Sequence, residues 1–207
     1  MHEEESVKSI LVNQFRFSDN DILLLTIFVQ ELLKFNKKYN LISRSTEKQV
    51  WHRHILDSAQ IINFIDFKSG LSVSDLGSGA GFPGLIISIF NKNPNFHVKL
   101  YEKSPVKCEF LGKIIKKLKI NALINNGSYL EHKIESEYIV CRAFKKLTQI
   151  MRISREIAKK PHKIIVLKGK SAQEEINKAL KEVRFDYKLV DSMTDNESKI
   201  MISDVIE

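Results

Sequence analysis

The sequence predicts an α/β fold: a doubly wound, mostly parallel, seven-stranded sheet that finishes in a C-terminal antiparallel hairpin and carries an N-terminal helical extension. Three observations predict it. From residue 71 onward, apolar runs of strand length alternate with runs of helical period, the order that builds parallel strands joined by crossover helices. The alternation then fails. The apolar runs 185–191 and 200–206 are separated only by the polar, turn-rich stretch 192–199, and two strands joined without a crossover must be antiparallel. Before Gly70 two helices are expected, over Asp19–Tyr39 and from Thr46, and Gly70 ends the helical region.

Taken in order, residues 1–69 are expected to form the extension, packed on the core, and 70–207 the sheet domain. A helix over Asp19–Tyr39 follows from Ser18 in the capping position and from Ile22, Leu25, Val29, Leu32 and Leu33 on one stripe. A second helix should begin at Thr46, because Thr46-Glu47-Lys48-Gln49 has the form of a capping box. Val50, Ile55, Ile61 and Ile62 would supply its apolar face. Strands are expected at 71–76, 97–102, 122–125, 138–143 and 163–168, with helices at 83–90, 104–118, 147–159 and 172–181. Pro105 suits the first turn of the helix it opens.

Composition sets limits. Hydrophobic residues make up 43% of the 207, enough for a sizeable core and too many for a disordered chain. The longest apolar stretch, 22–29, is too short to span a bilayer, and the acidic start is unlike a signal or transit peptide. Two cysteines, Cys108 and Cys141, lie within apolar patterns, so a reducing cytoplasm is expected rather than a disulfide framework. Residues 142–170 hold ten basic side chains and one acid, a local +9 against +8 for the whole chain. Such an excess suits a polyanionic partner, and equally a solvated lysine-rich surface.

Residues 75–84 read Asp-Leu-Gly-Ser-Gly-Ala-Gly-Phe-Pro-Gly. Read from Gly79 this is a dinucleotide fingerprint; read from Gly77 it is G-x-G-x-G. Either way a strand, a glycine turn and a helix start meet, with Glu102 at the end of the next strand to take ribose hydroxyls. Three features favour S-adenosylmethionine over NAD. Asp75 then falls at the strand's carboxyl end, facing the crevice. The terminal hairpin belongs to the methyltransferase variant of this sheet. The 123 residues after Gly84 leave no room for a dehydrogenase's second domain. Asp75, Gly77, Gly79, Gly81 and Glu102 are therefore expected at the cofactor, and no metal site is expected.

Motifs also exclude reactions. Methylation of a pyrimidine carbon needs a cysteine nucleophile on a loop, usually beside proline, whereas Cys141 follows the apolar Tyr138-Ile139-Val140 and reads as core. The loop that serves exocyclic amines is replaced by Cys141-Arg142-Ala143-Phe144. Guanine N7 already carries its lone pair and loses no proton, so positioning alone can carry much of the rate. Arg142, at a strand's carboxyl end, is placed either to meet phosphate or guanine O6 or to be an ordinary surface arginine.

From about residue 28 to 170 the chain resembles the bacterial 16S ribosomal RNA guanine-N7 methyltransferase family, also called glucose-inhibited division protein B. The resemblance rests on Lys38-Tyr39-Asn40-Leu41-Ile42-Ser43, Arg53-His54-Ile55-Leu56-Asp57-Ser58, the glycine loop, Arg142-Ala143-Phe144 and Leu167-Lys168-Gly169. It implies a class I S-adenosylmethionine-dependent methyltransferase acting on 16S ribosomal RNA or the small ribosomal subunit. It also implies cofactor contacts at Gly77, Phe82, Tyr129, Leu130 and Arg142. Leu130 stands where the family often has an acid. Arg142, Asn40 and His54 are the candidate catalytic residues, and Arg53, Lys145, Lys146 and Lys168 the candidate RNA contacts. Arg53, His54 and Asp57 fall on one face, which either borders the substrate pocket or docks on the sheet through an Asp57–Arg53 pair. A monomer away from membranes is expected. A small-molecule methyltransferase, or an RNA-binding protein with a vestigial cofactor fold, are the competing readings.

Overall fold

The computed structural model describes residues 2–68 and 70–206; Met1, Ser69 and Glu207, which bound the two expected segments, lie outside the described residues. The sheet has seven strands: β1 Ser72–Leu76, β2 His97–Glu102, β3 Ala122–Asn126, β4 Tyr138–Arg142, β5 His162–Lys168, β6 Lys188–Asp191 and β7 Lys199–Val205. Their order is β3-β2-β1-β4-β5-β7-β6. The first five run parallel, and β7 enters antiparallel to both β5 and β6. The doubly wound sheet and its terminal hairpin are thus as the alternation predicts, except that only Lys188–Asp191 of the first apolar run pairs.

Side chains alternate between two cores, as a period of two requires. Val98, Leu100, Val140 and Ile165 face a cluster built with the N-terminal helices, α4 (Gly84–Phe90) and α5 (Pro105–Leu118). Ile139, Cys141, Ile164 and Val166 face α6 (Leu147–Ile157) and α7 (Ala172–Leu180).

The N-terminal segment departs from expectation twice. A helix α1, His2–Phe15, precedes the expected one and buries Val7, Leu11 and Phe15 at four-residue spacing. After α2 (Asp19–Tyr39), capped reciprocally by Ser18 and Asp21, no regular helix begins at Thr46. Instead a 3₁₀ turn (Arg44–Gln49), a π-helical turn (Trp51–Leu56), α3 (Asp57–Ala59) and a second 3₁₀ turn (Gln60–Phe64) follow one another. The capping box does not form, because the Thr46 hydroxyl is engaged elsewhere: it donates to the Ser43 carbonyl at 2.9 Å and meets His54 Nε2 at 2.8 Å. No helix among the described residues is long and apolar enough to cross a membrane.

Candidate active site at the carboxyl ends of the parallel strands

The glycine loop leaves β1 with Gly77, Gly79 and Gly81 at φ 72°, 58° and 100°, in the left-handed region that glycine alone adopts readily. This is the G-x-G-x-G register. Gly77 and Ser78 both donate to the Tyr101 carbonyl, at 2.9 and 3.1 Å, which ties the loop to β2. A Cβ on Gly77 would lie 2.4 Å from Phe144, whereas one on Gly79 would meet nothing closer than 3.8 Å. Gly77 therefore lets Phe144 pack under the loop, and Gly79 keeps its outer side clear.

Asp75 does not face an open crevice. It is fully buried beneath the loop, with Oδ2 accepting the Gly84 N–H at 2.9 Å and Oδ1 making no hydrogen bond. Burial, above all, holds its carboxyl up at about 7. Glu102 reaches across from β2: Oε2 accepts the Gly79 N–H at 2.9 Å and Oε1 the Ser104 N–H at 2.8 Å. Among the described residues, Ala80 has the one N–H of the 77–82 loop that donates to no group. On the far side, Tyr129 packs edge-on against Phe144, with centroids 5.2 Å apart, and Leu130 is 55% exposed.

Arg142 joins the loop to the N-terminal segment. Its guanidinium lies over the Phe82 ring at 4.9 Å. It donates to the Arg53 carbonyl at 3.0 Å, to Asp57 Oδ2 at 3.2 Å and to His54 Nδ1 at 2.7 Å. A guanidinium only donates, so His54 Nδ1 accepts, its proton sits on Nε2, and that N–H points to Thr46. Burial, then the charges of Arg142 and Arg53, lower the His54 pKa to about 3, so the ring is neutral and neither nitrogen is free to take a proton. The ring also stacks on Phe82 at 5.1 Å. The face carrying Arg53, His54 and Asp57 both docks on the sheet and borders a cavity, but the expected Asp57–Arg53 pair is not made. Asp57 pairs with Arg142, and Arg53 with Asp195 at 3.2 Å.

That cavity, about 580 Å³, opens between the π-helical turn, the ends of β4 and β5 and the turn joining β6 to β7; Arg53, His54, Arg142, Phe144, Lys145 and Lys168 are among its walls. Lys146 also lines it and is exposed. Lys168 is placed there but committed, because its ammonium donates to Glu175 Oε2 at 2.8 Å and to the Lys145 carbonyl at 2.7 Å. This corrects the expectation of a lysine open to phosphate. Asn40 is not among the cavity residues: it closes α2 at φ 48° with an exposed side chain. Cys141 is buried in the sheet, its thiol pushed up to about 12 by burial.

Sequence reasoning missed Gln60 and Thr194. Asp57 Oδ1 accepts from both at 3.0 Å, and Gln60 also donates to Ser192 at 3.0 Å and accepts the Met193 N–H at 2.9 Å. The Gln60–Asp57 bond is local, at a spacing of three, but the bonds that bring Ser192, Met193 and Thr194 to this pair span 132 to 137 residues and leave no local signal.

A family model described as GidB, rRNA small subunit methyltransferase G, matches residues 21–201. The ribosomal RNA small subunit methyltransferase G of Pelagibacter ubique is 37% identical over 180 residues, covering 84% of this chain and 84% of that protein. Its counterpart in Rickettsia felis is 39% identical over 177 residues, covering 86% and 90%. Among solved structures, a SAM dependent methyltransferase from Aquifex aeolicus has a TM-score of 0.60 at 15% identity, covering 85% of this chain and 98% of that one. Aeropyrum pernix fibrillarin, with natively bound S-adenosyl-L-methionine, has a TM-score of 0.57 at 15% identity, covering 73% and 75%. These two bear on the fold alone. The family match and the curated relatives both span most of the chain, which belongs to the GidB family, rRNA small subunit methyltransferase G.

Proposed function

We propose that the chain transfers a methyl group from S-adenosylmethionine to N7 of a guanine in 16S ribosomal RNA. One observation carries the reading: Phe144 packs under Gly77 of the loop and also walls the 580 Å³ cavity, so donor loop and acceptor space share a side chain. The residues suit this cofactor. Glu102 would take the ribose, the Ala80 N–H the methionine carboxylate, and Phe82, Tyr129 and Leu130 the remaining faces, while Asp75 braces the loop from beneath through the Gly84 N–H. Bound there, S-adenosylmethionine supplies an electrophilic methyl on its sulfonium centre.

The chain's own part is positioning. Guanine N7 attacks with an existing lone pair and no proton leaves, so a site whose histidine has both nitrogens committed and whose buried cysteine is a thiol is adequate. Arg142, held at three points, is a fixed cation at the boundary of the two spaces. Lys145, Lys146 and Arg53 would hold RNA phosphates around the mouth. The protein acts on free RNA or the small ribosomal subunit, as a monomer in the cytoplasm.

Purified protein, labelled S-adenosylmethionine and small subunits from a deletion strain test this. The expected product gives one new chain scission under N7-methylguanine-specific cleavage of 16S RNA. Label in small molecules, or at another atom of the base, overturns it.

A further inference from the structure

Arg53 has an unusual companion. Its side chain is 42% exposed on the cavity wall, and it donates to a single carboxylate, Asp195 Oδ2, at 3.2 Å. The two carboxylates that line the cavity are committed to fixed cations, Asp57 to Arg142 and Glu175 to Lys168, whereas Asp195 reaches Arg53 from outside the lining. Asp195 comes from the turn between β6 and β7, and that turn is fastened without it. Thr194 is tied to Asp57, and Ser192 and Met193 to Gln60. The carboxylate of Asp195 has a second, local use, accepting the Glu197 N–H at 2.9 Å through Oδ1. That bond and Arg53 hold Asp195 below the usual carboxylate range, so it stays charged.

Resting on the RNA reading above, we propose that Asp195 occupies on Arg53 the place of an RNA phosphate. The β6–β7 turn then masks one phosphate-binding arginine at the cavity mouth until RNA displaces the carboxylate. The chemistry favours exchange. An exposed ion pair contributes little to stability, whereas a phosphate offers a guanidinium two parallel hydrogen bonds. That phosphate would also sit near Arg142, Lys145 and Lys146, which line the same cavity. Each RNA that binds must undo one internal pair, so Asp195 lowers the affinity by the modest amount that an exposed pair is worth.

The test is binding of a labelled 16S RNA fragment across salt concentrations, for the wild type, Asp195→Asn, Arg53→Gln and the double variant. Asparagine keeps the acceptor for the Glu197 N–H and removes the charge. Asp195→Asn is expected to bind RNA about three- to tenfold more tightly near 0.1 M salt, with a log–log salt slope steeper by up to about one unit. In the Arg53→Gln background the same change should do nothing, and melting temperatures should confirm that all four proteins fold. If RNA binds but Asp195→Asn gains nothing, or if the gain survives without Arg53, the masking role is wrong while the RNA reading stands. If no variant binds RNA although all bind S-adenosylmethionine, the RNA reading falls and takes this proposal with it.

Discussion

Arg142 donates to His54 Nδ1 at 2.7 Å across 88 residues of chain, and this bond sets the tautomer of the histidine. Arginine cannot accept, so the imidazole must present its lone pair to β4 and its N–H to Thr46.

The first prediction concerns acid stability. The unfolded chain protonates this ring below about 6.5, while the folded protein resists until about 3. The stabilisation is complete above 6.5 and is lost as pH falls from there toward 3. Asparagine at this position keeps an acceptor for Arg142 and does not titrate. The melting temperature of His54→Asn should therefore fall less steeply than wild type between pH 6.5 and 4. Parallel curves would mean that His54 is not the group responsible.

Arg142→Ala should lose both activity and stability. Its side chain is only 16% exposed and serves three acceptors, two of which belong to the part-buried His54 and Asp57. Denaturant unfolding should show a loss of about 1–3 kcal/mol, and methyl transfer per folded molecule should drop at least ~100-fold. Arg142→Lys keeps the charge without the fork and should recover little of either. A stable, active alanine variant would show that neither the three bonds of Arg142 nor its charge matters to folding or methyl transfer.

The first two loop glycines should fail differently. A Cβ at position 79 would meet no atom closer than 3.8 Å, so Gly79→Val should fold, strained by its φ of 58°, and place its side chain where the cofactor must approach. Calorimetry should find no S-adenosylmethionine binding. Gly77→Ala drives a methyl to within 2.4 Å of Phe144 and should displace that ring, altering the acceptor cavity as well. Tight cofactor binding by Gly79→Val would mean that the cofactor does not approach over Gly79.

The lysines of the cavity should separate into two kinds. Lys145 and Lys146 line it without an ion-pair partner among the described residues, so replacing either by alanine should weaken RNA binding and reduce the salt slope by about one. Lys168 is 11% exposed and bridges Glu175 to the Lys145 carbonyl. Lys168→Ala should instead cost about 1–2 kcal/mol of stability, with the RNA salt slope nearly unchanged. A slope change at Lys168 equal to that at Lys145 would show that its pairing opens on RNA.

The sequence determined what depends on neighbours in the chain. Strand and helix periods, the glycine turn, Ser18 as a cap and the antiparallel end all come from patterns within a few residues, where backbone geometry and local sterics decide the outcome. The stripe of Val7, Leu11 and Phe15 in α1 is equally local, though its opening turn is acidic. Tertiary structure decided everything that rests on distant partners. Thr46 has the residues of a capping box, yet its hydroxyl goes to His54 and the Ser43 carbonyl, and π-helical and 3₁₀ turns replace the helix. Asp57 could reach Arg53 by spacing, but it meets Arg142, 85 residues away, because β4 ends beneath it. Lys168 is one charge in a basic window until α7 brings Glu175 alongside. Periodicity reports which face a side chain occupies; which charge it meets there is settled only when strands far apart in sequence share an edge of the sheet.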